Sequence, residues 1–226
     1  VESDAPTAAD RRQINDHMEA LFWVAALKPA TIGVPLYRDE TREYLEIAVL
    51  HLRLRPGAKA ARLAELVHRV VPYPVLLITE QAPADGAPEL SLAHKRWSRG
   101  ETDKTVIDDA INAAAIDDRD PYLQPFCQAL SLSRQPRRDL QALYQGLIDT
   151  VLALHASRLT GSFHVHTSAE RAAARRQALR ASAELEAQIT KRRAEATKAT
   201  QLARQVELNL DIKRLEAALA ATRLAL

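Results

Sequence analysis

Tyr44-Leu45-Glu46-Ile47-Ala48-Val49-Leu50-His51-Leu52-Arg53-Leu54-Arg55 is the stretch on which the fold turns. From Leu50 onward, leucines alternate with His51, Arg53 and Arg55. An extended segment with this pattern has one apolar face and one wet face, so it reads as a half-buried strand. Pro56-Gly57 stops it, since proline and glycine together favour a turn.

Working outward, residues 59–71 return to helical spacing through Leu63, Leu66, Val67 and Val70. Val71-Pro72-Tyr73-Pro74 breaks that helix, and Val75-Leu76-Leu77-Ile78-Thr79 is a continuous apolar run suited to a central strand. Gln81 to Pro88, with Asp85-Gly86, reads as a turn. Leu90 to Trp97 alternates again and is expected to pair with the preceding strand as a hairpin. Upstream, Thr31 to Leu36 reads as a short strand. Ile14, Met18, Leu21, Phe22 and Ala25 recur at three- and four-residue steps, which predicts one helix from Asp10 to the Lys28-Pro29 break. Residues 1–9 read as a flexible start. The order helix, strand, strand, helix, strand, strand predicts an α+β domain over residues 10–119 with a sheet of about four strands.

Beyond Asp120-Pro121 the pattern is helical. Leu140, Leu143, Leu147, Val151 and Leu154 form a stripe within a helical segment at residues 120–160. After a break at residues 160–166, Thr167-Ser168-Ala169-Glu170 reads as a capping box opening a long C-terminal, coiled-coil-like helix over 167–226. No glycine or proline follows, so an unbroken helix would run roughly 90 Å; a folded-back one remains open. Leu185 and Ile189 start one stripe, continued by Ala196, Ala199, Ala203, Val206 and Leu210. Leu208, Ile212, Leu215 and Leu219 lie on a neighbouring face. Val206, Leu208, Asn209, Leu210, Ile212, Leu215 and Leu219 are the expected partner-binding residues. An asparagine facing a helical seam fixes register, the role expected of Asn209.

The chain of 226 residues is 47% hydrophobic but only 4% aromatic, with six glycines, which disfavours a barrel or sandwich. A single cysteine, Cys127, excludes an intrachain disulfide and a cysteine zinc cage. No apolar run approaches the roughly 20 residues of a membrane span. The acidic start lacks a signal-peptide core, so a cytoplasmic setting is expected. The net charge of +2 hides an asymmetry: residues 167–226 hold 12 Lys/Arg against 7 Asp/Glu, and the rest of the chain is net negative.

No phosphate loop, dinucleotide fingerprint or hydrolase elbow occurs, and no cofactor is called for. Glu46, Glu80 and Lys95 are candidates for a metal-dependent nuclease, which gathers carboxylates and a lysine at strand ends. The usual Asp, then Glu-x-Lys, spacing is missing, and Glu80 with Lys95 also reads as a cross-strand pair. His164-Val165-His166 offers half a metal site, to be completed by His94, His155 or a carboxylate; a polar loop before a helix cap is the favoured reading, and no metal is expected. Lys95, Arg96 and Trp97, with Arg175, Arg176, Arg180, Lys191, Arg192 and Arg193, are candidate nucleic-acid contacts.

Two stretches carry a resemblance: Val70-Val71-Pro72-Tyr73-Pro74-Val75-Leu76-Leu77 followed by Ala93-His94-Lys95-Arg96, and Gln205-Val206-Glu207-Leu208-Asn209-Leu210-Asp211-Ile212-Lys213-Arg214-Leu215. Together they resemble a bacterial domain family of unknown function. Its members are encoded beside adenine-specific DNA methyltransferases and helicases, in restriction-modification and antiviral (phage-defence) clusters. The resemblance implies DNA-processing company and brings no catalytic residue. The leading expectation is therefore a non-catalytic assembly or adaptor subunit, bound through its C-terminal helix to protein partners such as a helicase or methyltransferase, or to itself. A DNA-binding module on the basic helix and a divergent nuclease are the alternatives, and no membrane association is expected.

Overall fold

The computed structural model describes residues 7–82, 86–100 and 104–226. It is an α+β protein that divides into two units, Val1–Val151 and Leu152–Leu226. Residues 1–6, most of the expected flexible start, and Asp85 of the expected turn lie outside the described residues.

In the first unit, helix α1 (Ala8–His17) is capped by Thr7, whose hydroxyl accepts from Asp10 N–H at 3.1 Å. The helix predicted to reach Lys28 stops at His17, and Met18–Leu27 is strand β1. The helical spacing there is coincidental. Phe22-Trp23-Val24 favours extended backbone, and β1 supplies the hydrogen bonds that one edge of the sheet otherwise lacks. Met18 and Leu21 still reach the core, now from a strand. Pro29–Ile32 forms a single helical turn, α2, ended by Gly33 at φ +65°. The strand expected over Thr31–Leu36 is therefore absent. Two short strands, β2 (Tyr37–Arg38) and β3 (Glu43–Tyr44), pair with each other.

The alternating stretch forms β4 (Ile47–Leu54), shorter than its pattern because Tyr44 belongs to β3. Helix α3 (Ala60–Val70) crosses over to β5 (Val75–Gln81), parallel to β4. Strand β6 (Glu89–Leu92) returns antiparallel beside β5, as the hairpin reading expects. The chain then leaves the sheet: β7 (Lys95–Trp97) pairs with β8 (Thr105–Ile107) in a separate ladder. Leu90–Trp97 is thus two strands rather than one. Ala93 N–H donates to the Tyr144 hydroxyl at 2.9 Å and His94 is bonded to Gln145 at 2.9 Å, which turns the backbone between them. Strand β9 (Asn112–Ala115) re-enters the sheet, whose order is β1-β4-β5-β6-β9. The sheet has five strands, one more than expected.

Leu50, Leu52, Leu54, Val75 and Leu77 meet Leu63, Leu66 and Val67 of α3 on one face of the sheet, with Ile14 from α1. Helix α4 (Leu123–Ala129) and a 3-10 turn (Leu132–Arg134) lead to α5 (Leu140–Thr160). Gly146 sits inside α5 because a Cβ there would lie 2.6 Å from Pro136 Cδ.

In the second unit the terminal helix is not continuous. Helix α6 (Ala169–Lys198) and α7 (Leu202–Arg223) are separated at residues 199–201 and pack against each other. Ile189, with Leu185 and Ala196, meets Ile212, Leu215 and Leu219. Arg193 pairs with Glu216 at 2.7 Å, and Arg223 with Glu186, so the two helices are antiparallel. Leu185, Ile189 and Ala196 of the first apolar stripe thus meet the second once the chain folds back, while Val206 and Leu210 of the first stay exposed. Gln205 Nε2 donates to the Ala199 carbonyl at 2.6 Å and stabilises the break. The helix start also shifts by one residue: Ser168, not Thr167, is the cap, accepting from Arg171 N–H.

Candidate functional site

The nuclease candidates are not brought together. Glu46 precedes β4, is buried and pairs with Lys28 at 2.8 Å. Glu80 lies on β5 and is bonded to His51 Nε2 at 3.0 Å. Ala48 pairs with Val75 and Arg53 with Glu80, so the two carboxylates stand at opposite ends of the sheet, roughly 23 Å apart along the strands. Lys95 has left the sheet, and the cross-strand pair with Glu80 does not form. Its ammonium donates to the Val71 carbonyl instead.

Lys95 is nonetheless the most perturbed cation described. It is only 2% exposed, and burial pulls its pKa from the usual 10.5 to about 7. His68 on α3 is fully buried, and its pKa is pushed down to about 3, first by burial and then by the charge of Lys95. His68 Nε2 is bonded to Ser91 Oγ at 3.0 Å, while Nδ1 has no partner among the described residues. Ser91 in turn lines a cavity of about 480 Å³ between α3 and the β6–β9 edge, bordered by Glu65, Arg69, Glu89 and Asp109. Asp109 adopts the left-handed region at φ 74°, which is uncommon outside glycine. A serine beside a histidine suggests an activated nucleophile, but among the described residues no third group orients this imidazole, and burial keeps its basicity low. The sequence gives no sign of this trio, because His68 and Ser91 look like ordinary residues on a helix and a strand. A second polar chain links Tyr44, His94, Gln145 and Asp149. The fully buried Tyr144 hydroxyl donates to the Val75 carbonyl at 2.6 Å.

Three of the nucleic-acid candidates, Arg96, Arg192 and Arg193, pair with carboxylates within the chain. Arg96 pairs with Asp108 at 3.4 Å and donates to the Trp97 carbonyl, and Trp97 is half-buried. Arg175 is buried, donating to the His164 carbonyl and to His166 Nε2 at 2.9 Å. This guanidinium occupies His166 Nε2, and burial with the Arg175 charge lowers the His166 pKa. Among the described residues no group of three His, Cys, Asp or Glu is placed to hold a metal ion. Arg192 pairs with Glu195 at 2.8 Å and Arg193 with Glu216. Arg176 and Arg180 also have partners, and Lys191 is exposed.

The partner-binding candidates divide into two sets. Leu208, Ile212 and Leu219 are buried and Leu215 half-buried, the last three packed against α6. Val206 and Leu210 are exposed. So is Asn209, which lines a shallow groove with Arg193, Gln205 and Ile212, beside the hairpin seam rather than in it. Leu202, Val206, Leu210, Ala217, Ala220 and Leu224 are all exposed. At about 100° per residue they fall within roughly 80° of arc, on the side of α7 away from its buried leucines. Lys213 is the charged member of this stripe.

Among the described residues no helix is long and apolar enough to cross a membrane. No curated protein and no solved structure matches the chain. A family model does match, over residues 1–219, which takes in the sheet, α6 and most of α7. The chain belongs to the family described as a domain of unknown function (DUF4391).

Proposed function

We propose that this chain is an assembly or adaptor subunit that holds a partner protein against the exposed face of α7, within a bacterial DNA-modification or phage-defence complex in the cytoplasm. The observation that carries the reading is that α7 has two apolar faces. One packs on α6, and the other, from Leu202 through Val206 and Leu210 to Leu224, is exposed. A helix that already has one buried face needs no second apolar stripe for its own folding. Helix-in-groove and helix-on-helix contacts read such anchors at steps of three and four residues.

Lys213 selects the partner. Two copies of α7 packed antiparallel about their centre would set Lys213 against Lys213. A partner helix with a carboxylate at that level would pair with it instead, so the surface favours a different subunit. The defence setting rests on the family resemblance, and the candidate partners are the methyltransferase and helicase encoded beside such genes. Internal pairing of Arg96, Arg175, Arg192 and Arg193 argues against a phosphate-binding role, and separation of Glu46 from Glu80 argues against a nuclease. Co-expression with those neighbours tests the proposal. Leu210→Glu is expected to abolish co-purification while leaving helical content unchanged. A complex that survives both Leu210→Glu and Val206→Glu overturns the reading.

A further inference from the structure

We propose that β1 pairs with β1 of a second copy, antiparallel across a two-fold axis, so that two five-stranded sheets join into one of ten strands. Strand β1 is the edge of the sheet, with β4 on one side and no strand on the other among the described residues. Its centre is the most apolar exposed run in the first unit: Phe22, Trp23 and Val24 are 46%, 53% and 59% exposed. From Ala20 to Leu27 the strand holds no charged residue. Long, apolar, uncharged edges pair with other chains, and proteins that stay monomeric normally protect them with lysine or proline. Two bulges, at Glu19 and Val24, bend this strand. The central bulged residue is an exposed valine rather than a charge, so the bulge leaves the edge apolar.

The ends of the run identify the occupant. Glu19 precedes it and Lys28 follows it. Antiparallel self-pairing that superimposes the two apolar runs sets Ala20 opposite Leu27 and Trp23 opposite Val24. It places Glu19 opposite the second copy's Lys28 at each end of the run; within the chain Glu19 pairs with Arg53 at 3.5 Å and Lys28 with Glu46 at 2.8 Å, so each contact extends an existing pair. An unrelated strand would have no reason to match both ends. The contact is isologous, so it closes after two copies. The opposite edge, β9, is only four residues long (Asn112–Ala115), so the pairing does not propagate into a fibre.

Light scattering of the full chain over a dilution series tests this. The wild type is expected to be a dimer, and Val24→Lys to weaken it by at least about a hundredfold, since two unpaired charges enter the contact. Glu19→Lys should also weaken the dimer, by setting a cation opposite the second copy's Lys28. Leu210→Glu on α7 should leave the dimer intact, so this inference and the adaptor reading fail separately. Hydrogen exchange supplies a readout without mutation: amides of Ala20–Leu27 should become more protected as wild-type concentration rises. A wild type that stays monomeric, concentration-independent exchange in β1, or a dimer indifferent to a folded Val24→Lys overturns the proposal.

Discussion

Lys95→Met should make the protein more stable near neutral pH and less stable in alkali. Lys95 is buried with a folded pKa of about 7 against the usual 10.5. A base whose folded pKa is the lower one binds more protons in the unfolded chain between the two values, so stability rises with pH across that window. Each unit is worth about 1.4 kcal/mol. At pH 7.5 the wild type therefore carries a deprotonation cost of about 4 kcal/mol, which methionine lacks. Methionine also loses the hydrogen bond to the Val71 carbonyl, and leaving that acceptor unmade costs about 1–3 kcal/mol. The net expectation is stabilisation by about 1–3 kcal/mol at pH 7.5, shrinking toward zero by about pH 9.5, where about 1.4 kcal/mol of the lysine cost remains, and reversing sign as that remainder falls away toward pH 10.5. His68 titrates below this range, between about 3 and 6.5, so it does not contaminate the slope. Both tryptophans, Trp23 and Trp97, lie in the first unit with Lys95. Urea unfolding followed by tryptophan fluorescence from pH 7 to 9.5 is thus the assay. A wild-type stability that is flat over this range, or a variant with the same pH slope as the wild type, refutes the argument.

Two further outcomes test the packing. Ile189→Ala removes a central contact of the α6–α7 hairpin and should cost it about 1–4 kcal/mol; helix circular dichroism should melt earlier while the tryptophan transition stays put. Tyr144→Phe leaves the Ala93 amide and Val75 carbonyl without their buried partner and should lower the fluorescence midpoint by about 1–3 kcal/mol in urea unfolding.

Strands β4 and β5 and helix α3 were legible because each is long and has turn residues at its ends. Met18–Leu27 misled because its apolar residues satisfy both helical and extended spacing, and only the vacant side of β4 decides between them. Strand β9 carries Asn-Ala-Ala-Ala, a strand by pairing alone, with no propensity to announce it. The fold-back at residues 199–201 has neither glycine nor proline. Its sign was the shift of apolar stripe between Ala196 and Leu208, whose meaning depended on whether α7 had α6 to pack against. At the candidate surfaces, leucines 208, 215 and 219 could not be told from Val206 and Leu210 before the hairpin was known. The basic residues misled for a related reason. Charge counts give no partners, and Arg175 and Arg193 are held by His166 and Glu216, at separations that no local pattern reveals.

The two proposed surfaces have different symmetry, and that fixes a stoichiometry. The β1 edge is self-complementary, with Glu19 and Lys28 at opposite ends of one apolar run. The α7 stripe is not, because Lys213 sits in its middle. A chain using the first surface for itself and the second for another subunit should assemble two-to-two. Val24→Lys should then convert the complex to one-to-one without changing the affinity of each α7 for a monomeric partner, because no α7 contact is lost. A partner that is itself dimeric behaves differently: it engages both copies at once, and losing the β1 pairing should weaken its apparent binding by about 100-fold or more. Mass measurement of the co-expressed complexes, with titration of monomeric and dimeric partner forms, separates these cases. A Val24→Lys complex that keeps its two-to-two mass, or that loses affinity for a monomeric partner, would show that the surfaces are not independent.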